Sequence, residues 1–372
     1  MLVEIAPARA LALRMVSLLL RDGHNPAQRP AEVAAVVTWI GAMQAQDLAS
    51  GLWSFGARLP GFTVGDVTAA LERREALRTW PMRGTVHFVP ARDAHWMLDL
   101  MGSRALSGAA RRRAFLGLSE NVVDRAVDVL AAALAGGGRL TRAQCLAVLA
   151  EHGIETAGQL GYHLLWYASQ RGVLCIAPNI GSEQSFALLD EWVPDPHRPE
   201  RDEALATIAV RHFRSHGPTT RQDFAGWTGL PAADARRAIA AAGNRLASVT
   251  VDGGEMYLDP AVLDGPPSAP DGPEVLVLPG FDEYLLGYKD RSLMLAEEHR
   301  PAIIPGNNGM FQATVVRDGR VIGTWKRTLA TTKVRIDVRP LVPLGTADRR
   351  RIEQAFQRYA GFLGRSPEVH VP

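Results

Sequence analysis

Apolar positions along the chain follow a helical rhythm and a strand rhythm in turn, and their order repeats. Helical spacing predicts segments at about 8–21, 31–44 and 63–74, the last capped by Thr63 with Val64, Val67, Ala70 and Leu71 on its buried face. Strand-like runs at 76–80 and 82–89 follow. In the second, Arg83, Thr85 and His87 alternate with Met82, Val86 and Phe88, so one face is apolar and the other carries arginine, threonine and histidine. Helices at 121–134, 140–153 and 157–171 then lead to strands at 173–177 and 185–189. After Pro194-Asp195-Pro196, helices at 203–216, 217–227 and 230–242 lead to strands at 246–251 and 256–258, which turn at Asp252-Gly253-Gly254.

Helices followed by a hairpin, three times over with a period near 80 residues, form an internal repeat. Helix-turn-helix plus a β-wing is the winged-helix plan, whose second helix normally enters the DNA major groove. The expected architecture is therefore α+β. It comprises three tandem winged-helix units at 1–115, 116–198 and 199–263, a Pro/Gly/Ser/Asp-rich linker at 264–273, and a C-terminal α+β region at 274–372. That last region holds a strand at 275–278, a hairpin at 310–316 and 321–328, a strand at 333–338 and a helix near 346–363.

One stripe breaks its own pattern. Val33, Val37 and Ile40 recur at helical spacing, yet the next position on that face is Gln44. A buried amide without partners costs roughly 1–3 kcal/mol, so its presence there needs a reason. Gln46 and Asp47 follow closely. A continuing helix would put Gln44 and Asp47 on one face, whereas an extended segment would point Gln44 and Gln46 the same way.

Composition removes several alternatives. With 372 residues, 47% of them hydrophobic, the chain can build real cores. The apolar stretch 11–20 is broken by Arg14 and reads as an amphipathic helix rather than a targeting segment, and no run approaches the ~18 residues of a membrane span. Cys145 and Cys175 are isolated, as in a reducing cytoplasm. Net charge is only +2, but basic residues cluster at Arg73, Arg74, Arg78 and Arg83, at Arg111-Arg112-Arg113, and at Lys326-Arg327. Such clusters track phosphates or are simply solvated faces. Metal chemistry has little support: His212 and His216 stand i, i+4 on a helix without a zincin glutamate, and a helix C-terminus accounts for them. Asp282-Glu283 is the nearest thing to a carboxylate pair, and adjacent residues on a strand would point apart.

Several stretches together resemble the winged-helix DNA glycosylases of the AlkZ type. They are Met43-Gln-Ala-Gln-Asp47, Met82-Arg-Gly-Thr-Val-His-Phe-Val89, the segment from Leu278 to Arg291, and the Gly319 to Arg327 hairpin, set among the three repeats. The likeness spans essentially the whole chain. The family signature is Gln, a hydrophobic residue, then Gln or Asp, and the family's chemistry is excision of alkylated purines. The resemblance implies Gln44 and Gln46 as the catalytic pair, the branch similar to glycosylases that protect a producer from its own DNA-alkylating antibiotic, with Ala45 a small version of the hydrophobic residue. Asp47 is the alternative catalytic group.

It further implies a monomeric, cytoplasmic, monofunctional glycosylase that needs neither cofactor nor metal. Its substrate would be double-stranded DNA carrying N7-alkylated purines, including bulky or crosslinked adducts received on a concave surface. Arg83, Thr85 and His87, with Arg111, Arg112, Arg113, Lys326 and Arg327, become the DNA-binding candidates. The three lysines, Lys289, Lys326 and Lys333, leave few amines for Schiff-base lyase chemistry. Tandem winged helices acting as a transcription regulator, or serving protein contacts alone, would explain the repeats but not the amides on a core stripe.

Overall fold

The computed structural model describes residues 3–23, 29–263 and 274–372, so the linker expected at 264–273 lies outside the described residues. A short strand β1 (Val3–Glu4) and helix α1 (Pro7–Ser17) are followed by α2 (Val33–Ile40), β2 (Met43–Gln44), α3 (Leu48–Arg58), α4 (Val64–Glu72), β3 (Ala76–Met82) and β4 (Thr85–Pro90). Next come α5 (Ala94–Met97), α6 (Ser103–Phe115), α7 (Glu120–Leu134), β5 (Arg139–Thr141), α8 (Arg142–Glu151), α9 (Gln159–Gln170), β6 (Leu174–Ile180) and β7 (Glu183–Leu188). The third group is α10 (Leu189–Trp192), α11 (Arg201–His216), α12 (Arg221–Thr228), α13 (Ala232–Ala242), β8 (Ala247–Val251) and β9 (Gly254–Leu258). The C-terminal region has β10 (Val275–Leu278), α14 (Glu283–Leu286), α15 (Arg300–Ile303), β11 (Thr314–Arg317), β12 (Arg320–Leu329), β13 (Lys333–Pro340), α16 (Thr346–Leu363) and β14 (Ser366–His370).

The repeat has a fixed internal logic. In each copy a helix leads to a short extended segment, then two helices, then a hairpin, and the extended segment pairs antiparallel with the second hairpin strand: β2 with β4, β5 with β7, and Thr219 with Tyr257 of β9. A polar side chain then caps the next helix. Asp47 accepts from the Ala49 amide at the start of α3, while Thr141 and Thr220 form capping boxes with Gln144 and Asp223 at α8 and α12. Met43–Asp47 is thus the strand and cap that open the second helix of the first repeat.

Three expectations change. The helix placed at 31–44 stops at Ile40, because Gly41 takes φ 92°, a conformation L side chains rarely adopt, and the chain leaves as a strand. The helix α3 fills a stretch for which the apolar spacing announces none. The strands also run on through prolines: β3 carries Pro81, between the runs expected at 76–80 and 82–89, and β6 carries Pro178, past the end expected at 177, each within a register shift, and the first hairpin turns at Arg83-Gly84, with φ 55° and 69° between paired Met82 and Thr85. Arg83 therefore belongs to the turn and not to a strand face shared with Thr85 and His87.

The first two hairpins merge into one six-stranded sheet of order β2-β4-β3-β6-β7-β5, joined at Arg78 and Ile176. The N-terminal segment does not belong to the first repeat, which begins at α2. β1 runs parallel to β8, and α1 contributes Leu13 to the core of the third hairpin and Leu11 and Met15 to that of the C-terminal region. That region is a five-stranded sheet, β10-β11-β12-β13-β14, covered by α16.

A buried ion pair locks this sheet to the first repeat. Arg58, fully buried at the end of α3, donates from Nη1 and Nη2 to the two Asp282 oxygens at 2.9 Å each and from Nε to the Leu18 carbonyl. Ser54 Oγ and the Tyr284 amide complete the Asp282 shell. Arg58→Met strands this carboxylate and is expected to cost about 3–5 kcal/mol in denaturant unfolding, with Asp282→Asn in the same background restoring part of the loss.

Candidate active site

The local backbone brings the sequence candidates to one edge. Gln44 pairs with His87 across β2 and β4, and the Ala45 amide donates to the Val86 carbonyl at 2.8 Å. Ala45 is buried beneath Gly51 of α3, where an added Cβ would lie 2.8 Å from the Phe88 ring and 3.1 Å from the Ala45 Cβ. Only small side chains allow strand and helix to approach this closely, which explains alanine between the two glutamines.

Gln46 is exposed, and its Oε1 accepts from the Val86 amide at 3.1 Å. Gln44 is 9% exposed, and its side-chain amide enters no hydrogen bond among the described residues. β2 ends at Gln44, and Gln46 follows in a bend beside β4. The Asp47 carboxylate is occupied locally, by the Ala49 amide and the Ser50 hydroxyl at 2.7 Å.

Behind Gln44 lies a charged network that sequence reasoning passed over. Glu283, 1% exposed, receives the Gln44 backbone amide on Oε1 at 3.1 Å, and the Trp227 indole N–H at 2.8 Å and His216 Nε2 at 3.4 Å on Oε2. Burial by itself pushes this carboxyl up, but the His216 hydrogen bond and the nearby cationic Arg83 outweigh it and hold the group at about 2. Glu283 and Asp282 do diverge, one to Gln44 and one to Arg58. Two acids inside the apolar stretch Pro279–Leu286 were the available signal. His216 stacks on His212 at 4.6 Å, and His212 is kept neutral by burial, with both ring nitrogens unpartnered. No group of metal-ligating side chains occurs among the described residues.

His87 is a correction to the exposed Arg-Thr-His face: it is fully buried. Its Nδ1–H donates to the Thr85 carbonyl at 2.8 Å, and its Nε2 accepts from Arg83 Nη2 at 3.1 Å. Burial, reinforced by Arg83, lowers the imidazole to about 4, so it is neutral at physiological pH and cannot present a cation to phosphate. Arg83 is an exposed residue whose guanidinium nevertheless reaches this ring. The Thr85 hydroxyl is buried without a partner.

Residues 37–362 match the family model described as DNA glycosylase AlkZ-like. The chain belongs to the AlkZ-like DNA glycosylase family. A relative from Streptomyces sahachiroi, described as an interstrand DNA cross-link repair glycosylase, is 31% identical over 265 residues, covering 67% of this chain and 70% of its own. The solved structure of Streptomyces sahachiroi DNA glycosylase AlkZ is similar with a TM-score of 0.78 at 24% identity, over 99% of this chain and 100% of that one, a likeness of fold. This AlkZ-like chain is thus a DNA glycosylase, and the reading as a regulator falls away.

The basic candidates of this glycosylase separate. Lys326 is exposed and Arg327 half-buried on β12, where Arg327 donates to the Tyr359 hydroxyl. Both line a cleft of about 340 Å³ with Ser50 and with Asp47, the residue that follows Gln46. Arg111 and Arg112 are exposed on α6, and Arg112 donates to Gln159 Oε1. Arg113 is different: it is buried, bonded to Glu120 at 2.6 and 3.0 Å, and so is spent on structure. No helix among the described residues is long and apolar enough to cross a membrane.

The lowered His87 gives a pH prediction. Below its ordinary value of 6.5 the unfolded chain takes up a proton that the folded state refuses until about 4. Stability from this residue is complete above pH 6.5 and is lost as the pH falls toward 4. Melting temperatures of the wild type should drop between pH 6.5 and 5 more steeply than those of His87→Gln. His212 and His163, also lowered, titrate in both proteins and cancel in the comparison.

Proposed function

We propose that this glycosylase hydrolyses the N-glycosidic bond of cationic, N7-alkylated purines in duplex DNA, using Gln44 and Gln46 and leaving an abasic site. The observation that carries the reading is a pair of amides at the end of β2, one side chain free of hydrogen bonds and one tied by its oxygen to Val86, with the adjacent Asp47 carboxylate engaged as a helix cap.

That pairing suits one kind of substrate. A purine alkylated at N7 already carries positive charge, so its bond to C1′ breaks without an acid protonating the base. A positioned water and stabilisation of an oxocarbenium-like sugar remain to be supplied. The Gln44 carbonyl accepts from the water, while the Gln46 amide, its oxygen held by Val86, directs its NH2 outward to sugar or phosphate. Neutral amides are weak bases, and this spares unmodified purines, whose leaving group is not activated. Asp47 acts as a helix cap rather than as the base. His87 and Glu283 act through Arg83 and the Gln44 backbone, as positioning residues. We read the three repeats as winged-helix units that carry the duplex, with Lys326, Arg327, Arg111 and Arg112 on phosphates.

Single-turnover release of 7-methylguanine from duplex DNA tests this. Gln44→Ala and Gln46→Ala should each slow release by about 10²-fold while still binding DNA, and Asp47→Asn, which preserves the cap, should retain most of the rate. Inactivation by Asp47→Asn alone would reverse the assignment.

A further inference from the structure

The cleft that Asp47 lines, one residue on from Gln46, also holds a wall of side chains that the excision chemistry does not use: Phe281, Met310 and Phe311. Met310 is 52% exposed, a large apolar side chain left in solvent. Phe281 sits at φ 62°, in the left-handed region that a bulky residue occupies only when its surroundings dictate it. Those surroundings are explicit. The next two residues are Asp282, fixed on Arg58, and Glu283, fixed on the Gln44 amide, so one short loop sets both the catalytic strand and this wall. The Phe281 and Phe311 rings lie 6.5 Å apart at 53°, and the Arg291 guanidinium lies 5.0 Å from the Phe311 ring.

We propose that this wall is a binding subsite for the apolar, aromatic body of a bulky purine adduct, lying next to the amides that act on its glycosidic bond. The inference rests on the glycosylase reading above. The composition of the cleft identifies its occupant. An apolar surface alone would suit any hydrophobic metabolite, and cations alone would suit any DNA. Apolar side chains that share one cleft with Lys326 and Arg327 suit a hydrophobic group tethered to a polyanion. A cleft of about 340 Å³, at the small end of ligand sites, takes a ring system and is far larger than a methyl group needs. The subsite thereby sets preference among lesions that share the same cationic purine, without taking part in bond cleavage.

The test compares two lesions in the same duplex, 7-methylguanine and 7-benzylguanine, under single-turnover conditions with the full chain. Met310→Ala and Met310→Ser each remove an exposed apolar side chain and leave the Phe281–Glu283 loop intact. Each is expected to lower kcat/KM for 7-benzylguanine by about tenfold or more and to leave 7-methylguanine release unchanged. Equal losses on both lesions would assign this side chain to folding alone, and no loss on either would show that the wall binds nothing; both results overturn the subsite. A wild type that releases 7-methylguanine but not the benzyl lesion overturns it as well, leaving the excision reading intact. A wild type that releases neither removes the excision reading and the subsite with it.

Discussion

The buried carboxylate of Glu283 is the constraint around which the molecule is arranged. Removing such a charge from water costs several kcal/mol, and the cost is offset only where donors converge with good geometry. Here the donors come from distant parts of the chain: the Gln44 amide from the first repeat, and His216 and Trp227 from the third. The acid itself belongs to the C-terminal region. Satisfying one side chain therefore fixes three parts of the fold against each other. The neighbouring Asp282 performs the same service for Arg58, so two consecutive residues carry the joint between the C-terminal sheet and the repeats.

This arrangement also separates charge from chemistry. The strong charges, Glu283 and Arg83, hold the Gln44 backbone and the neutral His87. The two side chains proposed to act, Gln44 and Gln46, are uncharged. In the reading proposed above, selectivity follows from that weakness, because a site lacking a strong acid or base acts only on a base that is already a good leaving group.

Much of this was legible in the sequence. The three repeats, the turns at Asp252-Gly253 and Asp318-Gly319 and the last helix follow from local rules, since periodicity and glycine turns are short-range properties. The choice between a helical and an extended Gln44 was posed correctly but not decided, because it depends on Gly41, whose positive φ is needed only once α2 packs where it does. His87 was misjudged because alternation says which residues share a face and not whether another element covers it. Glu283 was invisible as a network centre for a related reason. Its partners stand 239, 67 and 56 residues away, and no local pattern brings them together.

The most direct measurement of the central claim is the single-turnover excision rate of Glu283→Gln on saturating duplex carrying 7-methylguanine, in protein whose melting transition shows that it is folded. The substitution keeps an acceptor for the Gln44 amide but removes the charge that Arg83 and His216 meet. If Glu283 sets the catalytic strand, the rate falls by at least about tenfold with DNA affinity unchanged, because small misplacements of catalytic groups are costly. A variant that binds and excises at the wild-type rate would show that the strand is positioned without it.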